Sequence, residues 1–522
     1  MTSQTPYDAN PISPAFETDE SSAVREQKQF ALLQAGLADQ FRSVFPDHLA
    51  PKTVVVVPSL SLDQQVLEAI PGAAFYEERL LCLLLLLRMP RTKIIYISSL
   101  PVDPVIIDYY LHLLPGITGI HARNRLTLLS CYDNSLVSLT EKILARPRLI
   151  RRIRDSIPAG ESAHIACFNT TPFERALAVA LGLPIYACDP SLCWLGSKSG
   201  SRRVFLEAGL PMPPGAGDMH SKMDIVHAVA ALKDMYPHLR KVILKLNEGF
   251  SGDGNAVLRF PEKLEKRALF DWIHEHIENK IEPVAAGLSA SAFLSKFAEM
   301  GGIAEAFIEG SAKASPSVQC RINPLGEIDI ISTHDQLLGG PDGQVFMGAK
   351  FPADPAYSRE IAAMAGQLAT VLKGRGVLGR FSVDFISVKE NERWQHYAIE
   401  INLRKGGTTH PYLMLQYLTD GRYDPESGLF TTHSGKPLYY YASDNIQHSA
   451  YRGLTPHDLM EITMLHGLHF DGAARKGVVF HMIGALSQYG KMGMVCIGES
   501  PAEAQTLFEK TIGVLNEETG AC

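Results

Sequence analysis

The chain has 522 residues, which is too long for one hydrophobic core and predicts roughly two to four domains. Hydrophobic residues make up 46% of the sequence and charged residues 20%, as in ordinary globular proteins. The formal net charge of -7 argues against nucleic acid as the main partner, because binding to a phosphate backbone relies on clustered Lys and Arg.

The N-terminal segment and the cysteines bear on the compartment. Residues 1–22 are rich in Ser, Thr and Pro and predict a disordered tail without the pattern of a secretory signal. The apolar run 80–87 is much too short to cross a bilayer. None of the eight cysteines forms a Cys-x-x-Cys pair, which favours reduced thiols. We therefore expect a cytoplasmic protein with no membrane partner.

Strand-like and helix-like patterns alternate through residues 23–190. Apolar strand patterns separated by helices predict a parallel sheet covered on both faces, in a Rossmann-like α/β layer. The predicted strands are 53–57, 93–98, 126–130, 164–168 and 185–188. The predicted helices are 76–88, 104–114, 140–157 and 172–181. No Gly-x-Gly-x-x-Gly follows the first strand, so no dinucleotide is assigned to this domain.

The Pro- and Gly-rich stretch 211–215 marks a boundary or hinge, and 222–310 then predicts a compact α+β unit. Its strands are expected at 241–246, 255–260 and 303–308. Three more strands (317–322, 327–333 and 344–351) and a helix (355–373) follow. Residues 424–522 predict a small α+β domain with strands at 437–442, 478–486 and 491–497, a helix at 456–468 and a closing helix after Ser500.

Two apolar-rich runs, 381–388 and 394–403, are joined by a charged turn and predict a β-hairpin. Side chains repeat on one face at every second residue, so Glu400 and Asn402 share a face, and the hairpin can bring Asp384 opposite Glu400. Two carboxylates and an amide suit Mg²⁺. On spacing alone, a hairpin carboxylate is more often a solvent-exposed edge residue. Burial inside apolar runs weakens that alternative, because a buried carboxylate needs a compensating cation.

Two lysines are candidate phosphate ligands. Lys245 ends an apolar strand before a turn with Gly249, Gly252 and Gly254, which predicts a polyphosphate cradle or, equally, an ordinary hairpin. Lys198 opens a helix, where anions bind, although a simple Ser-capped helix explains the local pattern as well. Residues 305–310 form an apolar strand ending in acidic residues that can meet an adenine edge and ribose hydroxyls.

In this order, these elements resemble the ATP-grasp superfamily of carboxylate-amine ligases. Residues 57–63, 76–81, 109–116 and 332–340 are similar to the pheganomycin-type peptide ligase family. The resemblance implies a Rossmann-like pre-ATP-grasp domain at 23–190, an ATP-grasp domain at 191–423 with a lid subdomain at about 222–310, and the C-terminal domain.

The resemblance also implies roles for individual residues. The expected ATP-binding residues are Lys198, Lys245, Ser251, Gly252, Gly254, Glu305, Ala306, Ile308 and Glu309. The expected Mg²⁺ ligands are Asp384, Glu400 and Asn402, and the expected catalytic residues are Arg404 and Lys245. Candidate substrate-binding residues are Gln319, Arg321, Lys405, Gly406 and Gly407, and Gln319 and Arg321 can equally be structural.

The implied reaction transfers the γ-phosphoryl group of ATP to a carboxylate, and an amine such as an amino acid or peptide then attacks the acyl phosphate. The glycine loop 249–254 is expected to close over the reacting groups. Two alternatives stay open: a kinase that stops at phosphorylation, and a nucleotide-binding regulator without turnover. A homodimer is compatible with the sequence, which does not identify the acid or the amine.

Overall fold

A computed structural model describes residues 20–62, 67–68, 70–249, 254–262, 268–285, 287–310, 312–339 and 345–521. Residues 1–19 of the predicted tail lie outside this part of the chain. The first helix begins at Glu20, so the last three residues of that predicted tail are helical.

A parallel sheet forms the first layer, with strand order β3-β2-β1-β4. Its strands are β1 (Lys52–Val57), β2 (Thr92–Ser98), β3 (Leu126–Ser130) and β4 (Ser162–Cys167). The helices of this region are α1 (Glu20–Ala35), α2 (Leu37–Ser43), α3 (Pro104–His112), α4 (Gly119–Arg123), α5 (Leu139–Leu144), α6 (Pro147–Asp155) and α7 (Pro172–Leu181). Residues 54–57 are buried, as expected for a strand covered on both faces.

Two predictions for this layer are wrong. The proposed strand at 185–188 contributes only an isolated bridge between Ile165 and Ile185. The proposed α-helix at 76–88 is a 3₁₀ helix, Ala73–Arg88, which we call the 3₁₀ segment. Most of its side chains are buried, so tertiary packing determines this backbone more than intrinsic α-helical preference does.

A second, antiparallel sheet has the order β5-β9-β6-β7-β8. Its strands are β5 (Gly215–Met219), β6 (Lys241–Leu246), β7 (Asn255–Arg259), β8 (Ile281–Pro283) and β9 (Gly302–Ala306). Helix α8 (Lys198–Glu207) precedes it, and α9 (Lys222–Met235), α10 (Leu269–Lys280) and α11 (Ala290–Met300) belong to it. This unit corresponds to the α+β unit expected at 222–310 and has its own apolar core.

The third sheet continues into the C-terminal region. Its order is β10-β14-β11-β12-β13-β18-β20-β19, with β15 paired to β14. The strands are β10 (Lys313–Ala314), β11 (Pro316–Ile322), β12 (Ile328–Gly339), β13 (Val345–Phe351), β14 (Gly379–Glu390), β15 (Arg393–Asn402), β18 (Tyr439–Gln447), β19 (Gly477–His481) and β20 (Lys491–Gly498). A separate pair comprises β16 (Arg422–Asp424) and β17 (Leu429–Thr431). The remaining helices are α12 (Ser358–Gly374), α13 (Thr409–Thr419), α14 (Pro456–Leu465), α15 (Leu486–Tyr489) and α16 (Pro501–Thr519).

The C-terminal region is tied to the rest of the chain by this sheet and by a shared core. Strand β13 pairs with β18, so hydrogen bonding runs across the boundary predicted near residue 424. One apolar cluster contains side chains of the 3₁₀ segment, of α13 and of strands β18 to β20. Residues distant in sequence are therefore held close to the first domain.

Candidate active site

The hairpin of β14 and β15 has the predicted register. Asp384 is the cross-strand partner of Glu400, and Ser382 is the partner of Asn402. The turn residues Asn391 and Glu392 both have positive φ, 48° and 65°, as in the two-residue turns that match strand twist. The hairpin therefore brings Asp384, Glu400 and Asn402 together.

Hydrogen bonds and charge fix the two carboxylates. Asp384 Oδ1 accepts from Ser317 Oγ at 2.6 Å, and Asp384 Oδ2 accepts from Asn402 Nδ2 at 3.0 Å. Lys198 Nζ forms an ion pair with Glu400. Burial, with the Glu400 charge, raises the pKa of Asp384 to about 6. Burial also acts to raise the pKa of Glu400, but Lys198 and Arg404 lower it below its ordinary value.

The two lysines reach this cleft from different elements. Lys198 is the first residue of α8, whose N-cap Ser197 accepts a hydrogen bond from Gly200 N at 3.0 Å. A Cβ at Gly200 would lie 2.1 Å from Trp194 O, so only glycine allows this close approach.

Lys245 is positioned by a buried carboxylate. It lies on β6, and Lys245 Nζ is 2.7 Å from Glu305 Oε2. The other oxygen of Glu305 accepts from Arg202 Nη1 at 2.7 Å. Glu305 is therefore engaged by two cations and holds the Lys245 ammonium at the cleft.

One cavity of about 1110 Å³ contains this constellation. It slightly exceeds the range of roughly 300–1,000 Å³ typical of small-molecule sites. Twelve predicted site residues line it: Lys198, Lys245, Gly254, Glu305, Ala306, Ile308, Asp384, Glu400, Asn402, Arg404, Gly406 and Gly407. Ser251 and Gly252 lie outside the described residues. Glu309 is described but is not among the residues that line the cavity.

Three residues suggested for substrate binding have internal partners instead of facing the cavity. Arg321 pairs with Asp329, with Nη2 to Oδ2 at 2.7 Å. Gln319 Nε2 donates to Ser332 Oγ at 3.1 Å and to Thr408 O at 3.0 Å. The part-buried Lys405 ammonium donates to Cys167 O. These contacts favour a structural role for all three residues.

Sequence reasoning missed five further residues that line the cavity, and we call this group the far end because it comes from parts of the chain outside the predicted site. Tyr76 and Arg79 of the 3₁₀ segment line the cavity together with Asn445, Gln447 and Lys491. One signal was present for Arg79, since a charge beside the apolar run 80–87 needs a buried partner. Lys491 carried no comparable signal.

The comparisons with known proteins agree with this geometry. Residues 192–283 and 266–426 match the family described as IQCH-like, ATP-grasp, and residues 458–511 match the PGM1 C-terminal domain. Residues 192–426 are thus similar to an ATP-grasp family. The expected fold class and the resemblance to this superfamily are thereby confirmed.

Two curated relatives align with most of this chain. It is 29% identical over 461 residues to the L-propargylglycine--L-glutamate ligase of Streptantibioticus cattleyicolor, covering 87% of this chain and 92% of the relative. It is 22% identical to the IQ motif-containing protein H of Danio rerio, covering 96% of this chain and 52% of that protein. The chain thus spans about half of the second relative.

Solved structures share the ATP-grasp fold at low sequence identity. The ADP complex of N5-carboxyaminoimidazole ribonucleotide synthetase aligns with a TM-score of 0.50 and 13% identity, covering 90% of this chain and 97% of that one. The biotin carboxylase ATP complex from Campylobacter jejuni aligns with a TM-score of 0.52 and 13% identity, covering 88% and 90%. Within the described ranges, no helix combines the length and the apolar character needed to span a membrane.

Proposed function

We propose that this chain is an ATP-dependent ligase that joins a carboxylate to an amine through an acyl phosphate and releases ADP and phosphate. The observation that carries the proposal is the convergence of two ammonium groups and three metal-type oxygen donors on one cavity. Lys198 and Lys245 stand on one side, and the hairpin carries Asp384, Glu400 and Asn402. The ligase relative, which aligns along most of both chains, supports the reaction class.

The hairpin donors fit Mg²⁺. Asp384 and Glu400 are partly buried cross-strand partners, and the Glu400 charge disfavours the ionised form of Asp384, which a divalent cation would relieve. Oxygen donors from two carboxylates and an amide match the preference of this ion, with water and phosphate completing the shell. We assign Asp384, Glu400 and Asn402 as ligands; the ion would offset negative charge on the transferring phosphoryl group.

The cationic side chains are assigned to the phosphates. Lys198 and Lys245 would bind the phosphate chain, and Glu305 positions the Lys245 ammonium rather than contacting the base. Arg404 lies within electrostatic reach of Glu400 and Asp384, beside the site of phosphoryl transfer. Its charge is placed to stabilise the transferring phosphoryl group and the oxyanion formed when the amine attacks.

The end of β9 is assigned to the adenine. Ala306 N donates to Pro214 O at 2.8 Å, and Phe307 N donates to Lys241 O at 3.3 Å, so both groups are used within the sheet. Ile308 is the next residue along the cavity wall and is the assigned contact for the base edge. Glu309 follows it and keeps the assignment to the ribose. Residues 250–253 of the proposed lid 249–254 lie outside the described part of the chain.

A screen of acid and amine pairs with ATP and Mg²⁺ tests the proposal, with mass detection of the condensed product. L-propargylglycine with L-glutamate belongs in the panel because the relative's name contains both. We expect ADP, phosphate and product only when a suitable acid and amine are present together. ADP with a phosphorylated acid but no need for amine would indicate the kinase. Nucleotide binding without any turnover across the panel would indicate the regulator.

The compartment and the assembly state stay part of the proposal. All seven cysteines in the described part of the chain are free, and six of them are buried. We propose a reducing, cytoplasmic location on this basis. A homodimer stays a prediction, and light scattering of the purified protein at several concentrations tests it.

A further inference from the structure

The far end of the cavity is built from two distant parts of the chain. Tyr76 and Arg79 come from the 3₁₀ segment, and Asn445, Gln447 and Lys491 come from β18 and β20. Tyr76 and Lys491 are 415 residues apart, yet they form a hydrogen bond. The apolar core shared by these elements holds the two parts together.

Lys491 is a buried cation with a neutral partner. Its residue is 6% exposed, and Lys491 Nζ donates to Tyr76 Oη at 2.8 Å. Among the residues that the structure describes, no carboxylate lies within ion-pair distance of this ammonium. A buried ammonium is costly without an opposite charge, and this one lines the cavity. The position is therefore suited to an anionic group from a ligand.

Arg79 provides a second cation that is held rigidly. Its guanidinium carbon lies 4.3 Å from the centroid of the Tyr76 ring, and Arg79 Nη2 is 2.6 Å from Asp444 Oδ2. The Nε2 atoms of His410 and His481 lie 3.1 and 2.8 Å from Asp444 Oδ1. Arg79 Nε is buried and has no hydrogen-bond partner in the described part of the chain. The guanidinium is thus fixed at one end and keeps donor capacity.

Glu77 and Glu78 precede Arg79 in the chain but form no ion pair with Arg79 or Lys491 among the described residues. Glu78 Oε2 accepts from Gly484 N at 3.0 Å, and Glu77 accepts from Ser99 N at 2.7 Å. Burial raises the pKa of Glu78 to about 8 and that of Glu77 to about 7. Asp444 is the ionised carboxylate in contact with Arg79. The Lys491 ammonium is therefore left without an opposite charge among the described residues.

We propose that Lys491 and Arg79, with the Tyr76 hydroxyl, bind a carboxylate of the substrate that does not react. The inference rests on the proposed ligase function, in which the reacting carboxylate must lie beside Arg404 and the phosphates. A second carboxylate of the substrate would then pair with Lys491 and Arg79. This selects amino-acid substrates that retain a free α-carboxylate. That group belongs either to the acid that is phosphorylated or to the amine that attacks.

Calorimetric binding in the presence of ADP and Mg²⁺ tests the subsite without turnover. The ligands are the twenty proteinogenic amino acids and L-propargylglycine, each compared with its α-amide. We expect amidation to weaken binding of at least one amino acid to the wild type at least tenfold. If amidation weakens binding of the amino acid that the screen identifies as the phosphorylated acid, the subsite binds the α-carboxylate of that acid. If amidation weakens binding of the attacking amine, the subsite binds the α-carboxylate of the amine.

The variant Lys491→Met removes the ammonium and keeps the length of the side chain. We expect it to bind the acid at least tenfold more weakly than the wild type and to bind acid and amide equally. Tyr76→Phe keeps the aromatic ring and leaves Lys491 unchanged, so it should weaken binding of the acid by a smaller factor. Lys476→Met is the matched control, because Lys476 pairs with Glu499 and Glu503 away from the cavity, and it should bind like the wild type.

Each outcome bears on the subsite separately from the ligase function. The subsite is overturned if the wild type binds every acid and amide equally, or binds no amino acid at all. It is also overturned if folded Lys491→Met and Tyr76→Phe proteins, checked by circular dichroism, keep the wild-type preference for acid. Carboxylate-dependent binding without condensed product in the screen would contradict the ligase reaction and leave the subsite standing.

Discussion

The two ends of the cavity are assembled in different ways. At the hairpin end, Asp384 and Asn402 are 18 residues apart in sequence and face each other across one turn. At the far end, Arg79 meets Asp444 and Tyr76 meets Lys491 only because the 3₁₀ segment packs against the C-terminal region. The hairpin end is therefore a local structure, whereas the far end depends on the packing of the whole chain.

This difference predicts how substitutions act. The hairpin donors lie partly exposed in a cleft, so changing one should mainly reduce turnover. The far-end charges are nearly fully buried, and Arg79 is paired with Asp444, so changing one should reduce both stability and binding. Variants at the two ends test this distinction directly.

The largest effect on stability is expected for Asp444→Asn. Burial alone would raise the pKa of Asp444, but Arg79 and His410 hold it well below its ordinary value, so an ionised carboxylate is lost. Removing one partner of a buried ion pair typically costs about 3–5 kcal/mol. Urea unfolding monitored by circular dichroism measures the change. Asp329→Asn, in the part-exposed pair with Arg321, is the control and should cost less than about 1 kcal/mol. An equal loss of unfolding free energy in the two variants would contradict a special contribution of the buried Arg79–Asp444 pair to stability.

The buried carboxyls of the 3₁₀ segment predict an unusual pH dependence. The pKa of Glu78 is about 8 in the folded protein against an ordinary value of 4.5, because burial disfavours its charge. Between these values the folded state keeps a proton that the unfolded state has released, so stability should fall as pH rises.

Glu78→Gln removes this titration and tests the sign. Since one pKa unit corresponds to about 1.4 kcal/mol, the variant should reduce the stability lost between about pH 5 and about pH 8 by a few kcal/mol. Glu77, with a pKa raised to about 7, continues to contribute a slope of the same sign. Urea unfolding across this pH range gives the slopes. Parallel curves for variant and wild type would exclude Glu78 as a source.

Sequence reasoning succeeded where partners were local. Period-two alternation predicted that Glu400 and Asn402 share a face, and the hairpin pattern placed Asp384 opposite Glu400. Helix signals worked equally well for α16, with Ser500 as N-cap and Pro501 at its first position. These patterns depend on neighbours within a few residues, which the sequence contains directly.

It failed where packing between distant segments decides the outcome. The 3₁₀ backbone of residues 73–88 follows from burial on nearly all sides, which no local pattern reveals. Lys491 gains its role from a hydrogen bond to Tyr76 across the shared core. The pairing of β13 with β18, which joins the C-terminal region predicted from residue 424 to the preceding sheet, was likewise not visible in the sequence.

At the hairpin end, Glu400→Gln should reduce Mg²⁺-dependent turnover at least about tenfold, equivalent to about 1.4 kcal/mol of barrier. The amide keeps the shape of the side chain but lacks the charge that pairs with Lys198 and suits a divalent cation. Steady-state rates at several Mg²⁺ concentrations measure the effect. Glu392→Gln at the exposed turn of the same hairpin is the control and should keep the wild-type rate. A wild-type rate for Glu400→Gln would remove this residue from the site.

The smallest effect is expected for Arg321→Met. This variant tests whether a charged side chain on a neighbouring strand contributes to the cavity. Arg321 pairs with Asp329, and the two side chains are 31% and 39% exposed. Such a solvent-screened pair contributes at most about 1 kcal/mol to stability. Because the guanidinium does not line the cavity, turnover and substrate affinity should equal those of the wild type within error. Steady-state kinetics and urea unfolding test both statements. A tenfold rise in KM would show that Arg321 contributes to substrate binding and that the substrate site includes residues beyond those that line the cavity.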